Sequence, residues 1–269
     1  MAIGGIHVRR VWAVLWKELL DLRKNRGLLV SLLALPAVLV TVPIGTVFAY
    51  ANNPEDPSLR TMALFYDPNL PLKASAARFL IDKALVDWFG MFLVMPIFVP
   101  ILISSQAVAG EKERRTIEPL LASPVTALEL VVGKSLASLV PAVAISWLAF
   151  AVFCAGVDAV SWRFLKVALM PTPMWLFGVG VIAPLFAFFG NGIAVVISAR
   201  VAEARLAQQI SGMCVLPVVG MVGLQIAGVL RAGTEYYALQ GAVVLVLDAL
   251  LLFAAVRLFD RERLISRWG

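Results

Sequence analysis

Residues 110–134 read GEKERRTIEPLLASPVTALELVVGK, a dense polar island between an apolar run at 87–109 (DWFGMFLVMPIFVPILISSQAVA) and another at 135–156. Apolar runs of that length read as membrane spans, so the island has to face water, and its charge points to a protein partner there. Glu111 pairs with Arg115 and Arg114 with Glu118 at helical i,i+4 spacing, which lets the stretch extend the preceding span as a short solvated helix. Pro119 ends or kinks that helix near Glu118. A new start follows: Ser123 before Pro124 is an N-cap with proline at the first helical position, and Thr126 with Glu129 has capping-box spacing. The expected shape is helix, elbow, helix at the membrane surface.

The rest of the chain agrees with spans on both sides of the island. Of 269 residues, 61% are hydrophobic and 15% charged, and the mean hydropathy is +0.91, far from an ordinary soluble domain. A hydrocarbon core about 30 Å thick needs roughly 20 apolar residues in a helix. Six segments meet or approach that length, near 28–50, 87–109, 135–156, 174–199, 210–230 and 239–258. The runs lack strand-period alternation and are too long for barrel strands, so helices satisfy their backbone in lipid. The fold class is an all-α integral membrane protein with six transmembrane helices.

Lysine and arginine counts set the expected orientation. With both termini inside, cytoplasmic segments carry 16 of these residues and the opposite side seven. The net charge of +6 sits at the membrane surface in a mixed-sign pattern, which suits anionic lipid headgroups and not nucleic acid. Cys154 and Cys214 fall inside spans as small apolar residues and imply no disulfide or metal site. Ala49-Tyr50-Ala51 superficially matches a signal cleavage site, but the preceding run is too long for an h-region, so an uncleaved first span is expected.

Within the first segment, 1–27, Val8, Val11, Trp12, Leu15, Leu19 and Leu22 fall on a stripe about 100° wide, opposite Arg10, Lys17, Asp21 and Lys24. This reads as an amphipathic helix lying in the interface, with Trp12 and Trp16 at headgroup depth. The remainder, 28–269, is the six-span domain. Its largest external piece, 51–86, opens on turn signals and offers a short helix over 71–86. Prolines interrupt most spans, at 36, 43, 96, 100, 141, 184 and 217, and kinks are expected there. Gly178, Gly180, Gly190 and Gly192 permit close helix packing.

Few residues carry chemistry. Gly133-Lys134-Ser135 looks like the end of a phosphate-binding loop, but the glycine required five positions before the Gly-Lys pair is Leu128, and no Walker-B-like strand follows. Any ATP hydrolysis must come from another chain. His7 is the sole histidine, which removes His-based metal sites and intramembrane triads. Asp248 is the sharpest intramembrane residue, because an acid near mid-span costs about 2.5 to 3.5 kcal/mol on insertion scales. It is a candidate for lining a polar path, binding a cation or taking up a proton, or for a structural hydrogen bond. Asn191, Gln225 and Gln106 read as interhelical hydrogen bonds before substrate contacts.

The island closely resembles the cytosolic loop of the type-2 family of ATP-binding-cassette (ABC) permeases, in which a GEKE-R-T-E-LL-P-G-K pattern links the second and third spans. Two further stretches are similar to the same family in the same order: 197–209 (ISARVAEARLAQQ), continuing to Pro217, and 257–265 (RLFDRERLI). The resemblance implies a permease subunit of an ABC exporter, not an enzyme by itself, in the inner (cytoplasmic) membrane with both termini cytoplasmic. It implies a homodimer of permease copies paired with two cytosolic ABC ATPase subunits, which bind ATP and Mg; this chain binds no cofactor. The first helix becomes a connecting helix along the inner leaflet, and the loop 110–134 contains a cytosolic coupling helix between spans 2 and 3. By that resemblance Leu120, Leu121 and Pro124 seat the elbow on the ATPase, and Glu111, Glu113, Arg115 and Glu118 orient it. The alternatives are an ion-coupled transporter or channel using Asp248, and a structural or sensory subunit whose loop docks a regulator. The sequence selects no substrate.

Overall fold

The computed structural model describes residues 2–3, 6–113, 126–230 and 233–265. A two-residue antiparallel pair, β1 (Ala2–Ile3) with β2 (Ile6–His7), leads into helix α1 (Val8–Lys24). Then follow α2 (Arg26–Asn52), α3 (Pro57–Tyr66), α4 (Ala76–Glu113), α5 (Ala127–Leu165), α6 (Pro173–Phe177), a π turn (Gly178–Ile182), α7 (Ala183–Arg200), α8 (Ala204–Met213), α9 (Leu216–Ile226) and α10 (Thr234–Ile265). Among the described residues, six helical stretches are long and apolar enough to cross a membrane: Arg26–Asn52, Ala76–Ser105, Leu128–Leu165, Pro173–Arg200, Ala204–Ile226 and Thr234–Ala255. The protein is an all-α integral membrane protein, as its composition predicts.

The second span, α4, is the most enclosed and packs chiefly on α7. In lipid, helix association relies on close packing, since lipid tails are as apolar as leucine. Gly190 shows this: a Cβ there would run into the carbonyl of Ile97, so the two backbones meet directly. Further along α4 the core turns aromatic. The Trp175 ring stacks on Phe153 at 4.7 Å and meets Phe89 edge-on at 4.9 Å, and Phe89 in turn meets Tyr237 at 4.4 Å. Such pairs add about 0.5–1.5 kcal/mol each beyond the area they bury.

Prolines shape two spans. Pro184 has no N–H and pushes against the carbonyl four residues earlier. The π turn Gly178–Ile182 immediately before it widens the helix there, and the Trp147 indole donates to the Val179 carbonyl at 3.1 Å. The fifth span is broken between α8 and α9, next to Pro217.

The segment between the first two spans differs from expectation. Its helix is Pro57–Tyr66, and 76–86 belong to α4, which runs unbroken through Glu113. The reason is capping: Asp56 accepts from Ser58 N–H at 2.8 Å with Pro57 in the first turn, a stronger start than anything near Pro71. That bond holds the Asp56 carboxyl below its usual range. Arg60 then gathers the return segment, donating to the carbonyls of Leu70, Pro71 and Ala74.

Candidate functional site

The island's downstream arm starts α5. Thr126 Oγ1 accepts from Glu129 N–H at 3.2 Å and Glu129 Oε2 accepts from Thr126 N–H at 2.8 Å, the full capping box read from the sequence. Glu129 has a second task that the local pattern does not reveal. Its Oε1 accepts from the backbone N–H of His7 at 2.7 Å, and Arg10 approaches Oε2 at 3.6 Å. The carboxylate is fully buried between the two segments it joins.

One turn further, a Cβ on Gly133 would lie 2.8 Å from Val14 Cβ, so only glycine lets α1 lie this close to α5. The next residue, Lys134, is buried with its Nζ 3.6 Å from Glu18. Glu129, Gly133 and Lys134 thus form one docking face for α1. The Gly-Lys pair that resembles a phosphate loop has a helix-packing role.

Helix α1 is amphipathic, but its apolar stripe divides. Val11 and Leu15 are buried, whereas Val8, Trp12 and Trp16 are exposed, Trp12 at 62% and Trp16 at 57%. The helix therefore has one face on the bundle and a second, tryptophan-bearing face free for lipid or another chain.

The upstream arm ends α4. Glu113 is exposed, and its Oε2 accepts from Ala204 N–H at 3.3 Å, in the first turn of α8. Glu203, the residue before that helix, supplies no side-chain cap of its own. The two arms of the island thus hold different elements, one the start of the fifth span and the other α1. Glu111 lies in α4, its side chain outside the described residues, as does that of Gln106. Arg115, Glu118, Leu120, Leu121 and Pro124 lie outside the described residues.

The intramembrane polar residues are placed separately. Asn191 Oδ1 accepts from Ser104 at 2.7 Å and Ser138 at 2.8 Å, tying α7 to α4 and α5 in a buried triad. Gln225 is buried near the opposite end, donating to the Val86 carbonyl at 3.1 Å and accepting from Tyr237 OH at 2.8 Å. Asp248 borders the same groove as Asn191, between α5, α7 and α10, and neither of its carboxylate oxygens has a hydrogen-bond partner among the described residues. The serines of the triad, and the Glu18, Arg10 and His7 partners of the junction, are not singled out by the sequence. The signals available were two charges, Glu129 and Lys134, inside an apolar stretch.

A six-span membrane bundle with an amphipathic helix docked on the charged start of its third span has the form of a transporter's membrane subunit. A family model described as ABC-2 family transporter protein matches residues 12–260, so the chain belongs to that family and is an ABC transporter permease. Membership implies an ABC ATPase as partner. No curated protein matches the chain.

Proposed function

We infer that the chain is the permease subunit of an ATP-driven exporter, working as a dimer with two separate ATPase chains in the cytoplasmic membrane, both termini inside. ATP and Mg bind on the partner. Closure of the ATPase dimer pushes on the elbow within 110–134, and the push becomes a rigid-body shift of the two permease halves. What carries this reading is the anchoring of both arms. Glu113 ties the upstream arm to α8, and Glu129, Gly133 and Lys134 tie the downstream arm to α1, so a force on the elbow reaches separate parts of the bundle. Leu120, Leu121 and Pro124 seat on the ATPase, and Glu111, Arg115 and Glu118 set the orientation. Ion coupling through Asp248 alone leaves this doubly anchored elbow without a task.

The test is reconstitution of permease and ATPase in proteoliposomes, with Glu118→Lys and Leu121→Asp. Both variants should insert normally and lose ATP-driven transport while the ATPase continues to hydrolyse ATP. Loss of insertion, or transport at the wild-type rate, overturns the coupling role.

A further inference from the structure

Asp248 and Glu129 pose opposite problems, and Asp248's is unsolved among the described residues. Its two carboxylate oxygens are buried and have no hydrogen-bond partner among the described residues. It borders a groove of about 530 Å³ between α5, α7 and α10, a volume in the range of small-molecule sites. The walls are leucine, valine, phenylalanine and alanine; the polar side chains on them are Ser135, Asn191 and Asp248. Asp248 lies nine residues before Arg257, the next charged residue in its helix, or about 14 Å along the helix axis. An unpaired acid in an apolar groove at that depth either takes up a proton or pairs with a compensating positive charge.

The geometry points to this groove as a binding site for a lipophilic monovalent organic cation, its charged nitrogen or phosphorus centre against Asp248 and its apolar body along α7 and α10. Three considerations select that class. A bare inorganic cation needs a shell of oxygen ligands, and here the Asn191 oxygen already accepts two serine hydroxyls. A zwitterionic lipid headgroup would bring a phosphate beside its amine, and no lysine or arginine lines the groove among the described residues to receive it. A lipophilic anion would meet the carboxylate with like charge. The amide nitrogen of Asn191 makes no hydrogen bond among the described residues, which leaves a donor for an ether or carbonyl oxygen on the ligand. As a substrate assignment this rests on the exporter reading; as a binding site it does not.

The experiment measures equilibrium binding of tetraphenylphosphonium to the purified full-length chain in phosphatidylcholine nanodiscs, with tetraphenylborate as the anion of matching shape. Tetraphenylphosphonium should bind, and Asp248→Asn should weaken it on the order of 30-fold or more, as expected when one partner of a desolvated charge pair is removed. Asp248→Glu should retain binding. Leu245→Trp, which narrows the groove and leaves the acid in place, should also weaken it. Equal affinity for tetraphenylborate, or phosphonium binding unchanged by both Asp248→Asn and Leu245→Trp, overturns the site. Displacement of the phosphonium by phosphatidylethanolamine in the disc overturns it in favour of a lipid headgroup. No ATPase is present, so failure here leaves the coupling reading standing, and failure of coupling leaves this measurement unaffected.

Discussion

Glu129 and Asp248 are both acids at the membrane-embedded bundle, and they differ in everything but charge. Glu129 closes a capping box with Thr126, accepts from the His7 backbone and faces Arg10. Asp248 has an apolar groove and no partner among the described residues. A buried carboxylate surrounded by donors is a fastener; one left bare among leucines is exposed to whatever cation arrives. The bundle thus has a tightly fastened end, where α1 meets the start of α5, and a groove whose acid has no partner among the described residues.

The comparison breaks most readily at Glu129. Glu129→Ala leaves two backbone N–H groups and Arg10 without their acceptor, so α1 should release from α5 and become the first site of limited proteolysis. The same digestion of Asp248→Ala should match wild type; equal behaviour of the two variants would erase the contrast. Next in size is Gly133→Leu, which drives a side chain into Val14 and should cost about 1–3 kcal/mol, read as a lower thermal midpoint. Ser138→Ala removes one member of the buried triad and should cost about 0.6 kcal/mol, the average for interhelical hydrogen bonds in membranes. The smallest effect belongs to Asp248→Asn. It replaces a carboxyl that has no hydrogen-bond partner among the described residues, and thermal stability should stay within about 0.5 kcal/mol of wild type or rise. A large loss would mean that Asp248 is fastened after all.

The spans are legible because membrane thickness fixes a length that few other forces imitate, and the Thr126–Glu129 capping box marks the start of α5, while the Ser123-Pro124 start lies outside the described residues. The helix Pro57–Tyr66 is not among the expected elements, although Asp56-Pro57 is a sound start signal, because a helix this short and half-exposed has too weak an apolar pattern to stand out from the turn signals around it. The junction was half legible. Thr126 and Glu129 are local and readable at three-residue spacing, whereas His7 and Arg10 lie more than 100 positions away in the chain and meet Glu129 only through folding. Gly133-Lys134 resembles a phosphate-loop fragment in sequence, and its role in packing α1 depends on contacts that the local pattern does not show. At Asp248 the sequence gives a charge in an apolar span; whether a partner faces it depends on three helices far apart in the chain.

The central claim is that the elbow within 110–134 is where an ATPase holds this permease. The most direct measurement is purification of the mildly solubilised protein from its native host, with quantitation of any accompanying nucleotide-hydrolysing chain, for wild type and for Glu118→Lys with Leu121→Asp. One ATPase chain per permease, lost in the double variant while α1 stays protected from protease, is the expected result. Permease recovered alone under conditions that preserve other such complexes, or an ATPase retained undiminished by the double variant, contradicts it.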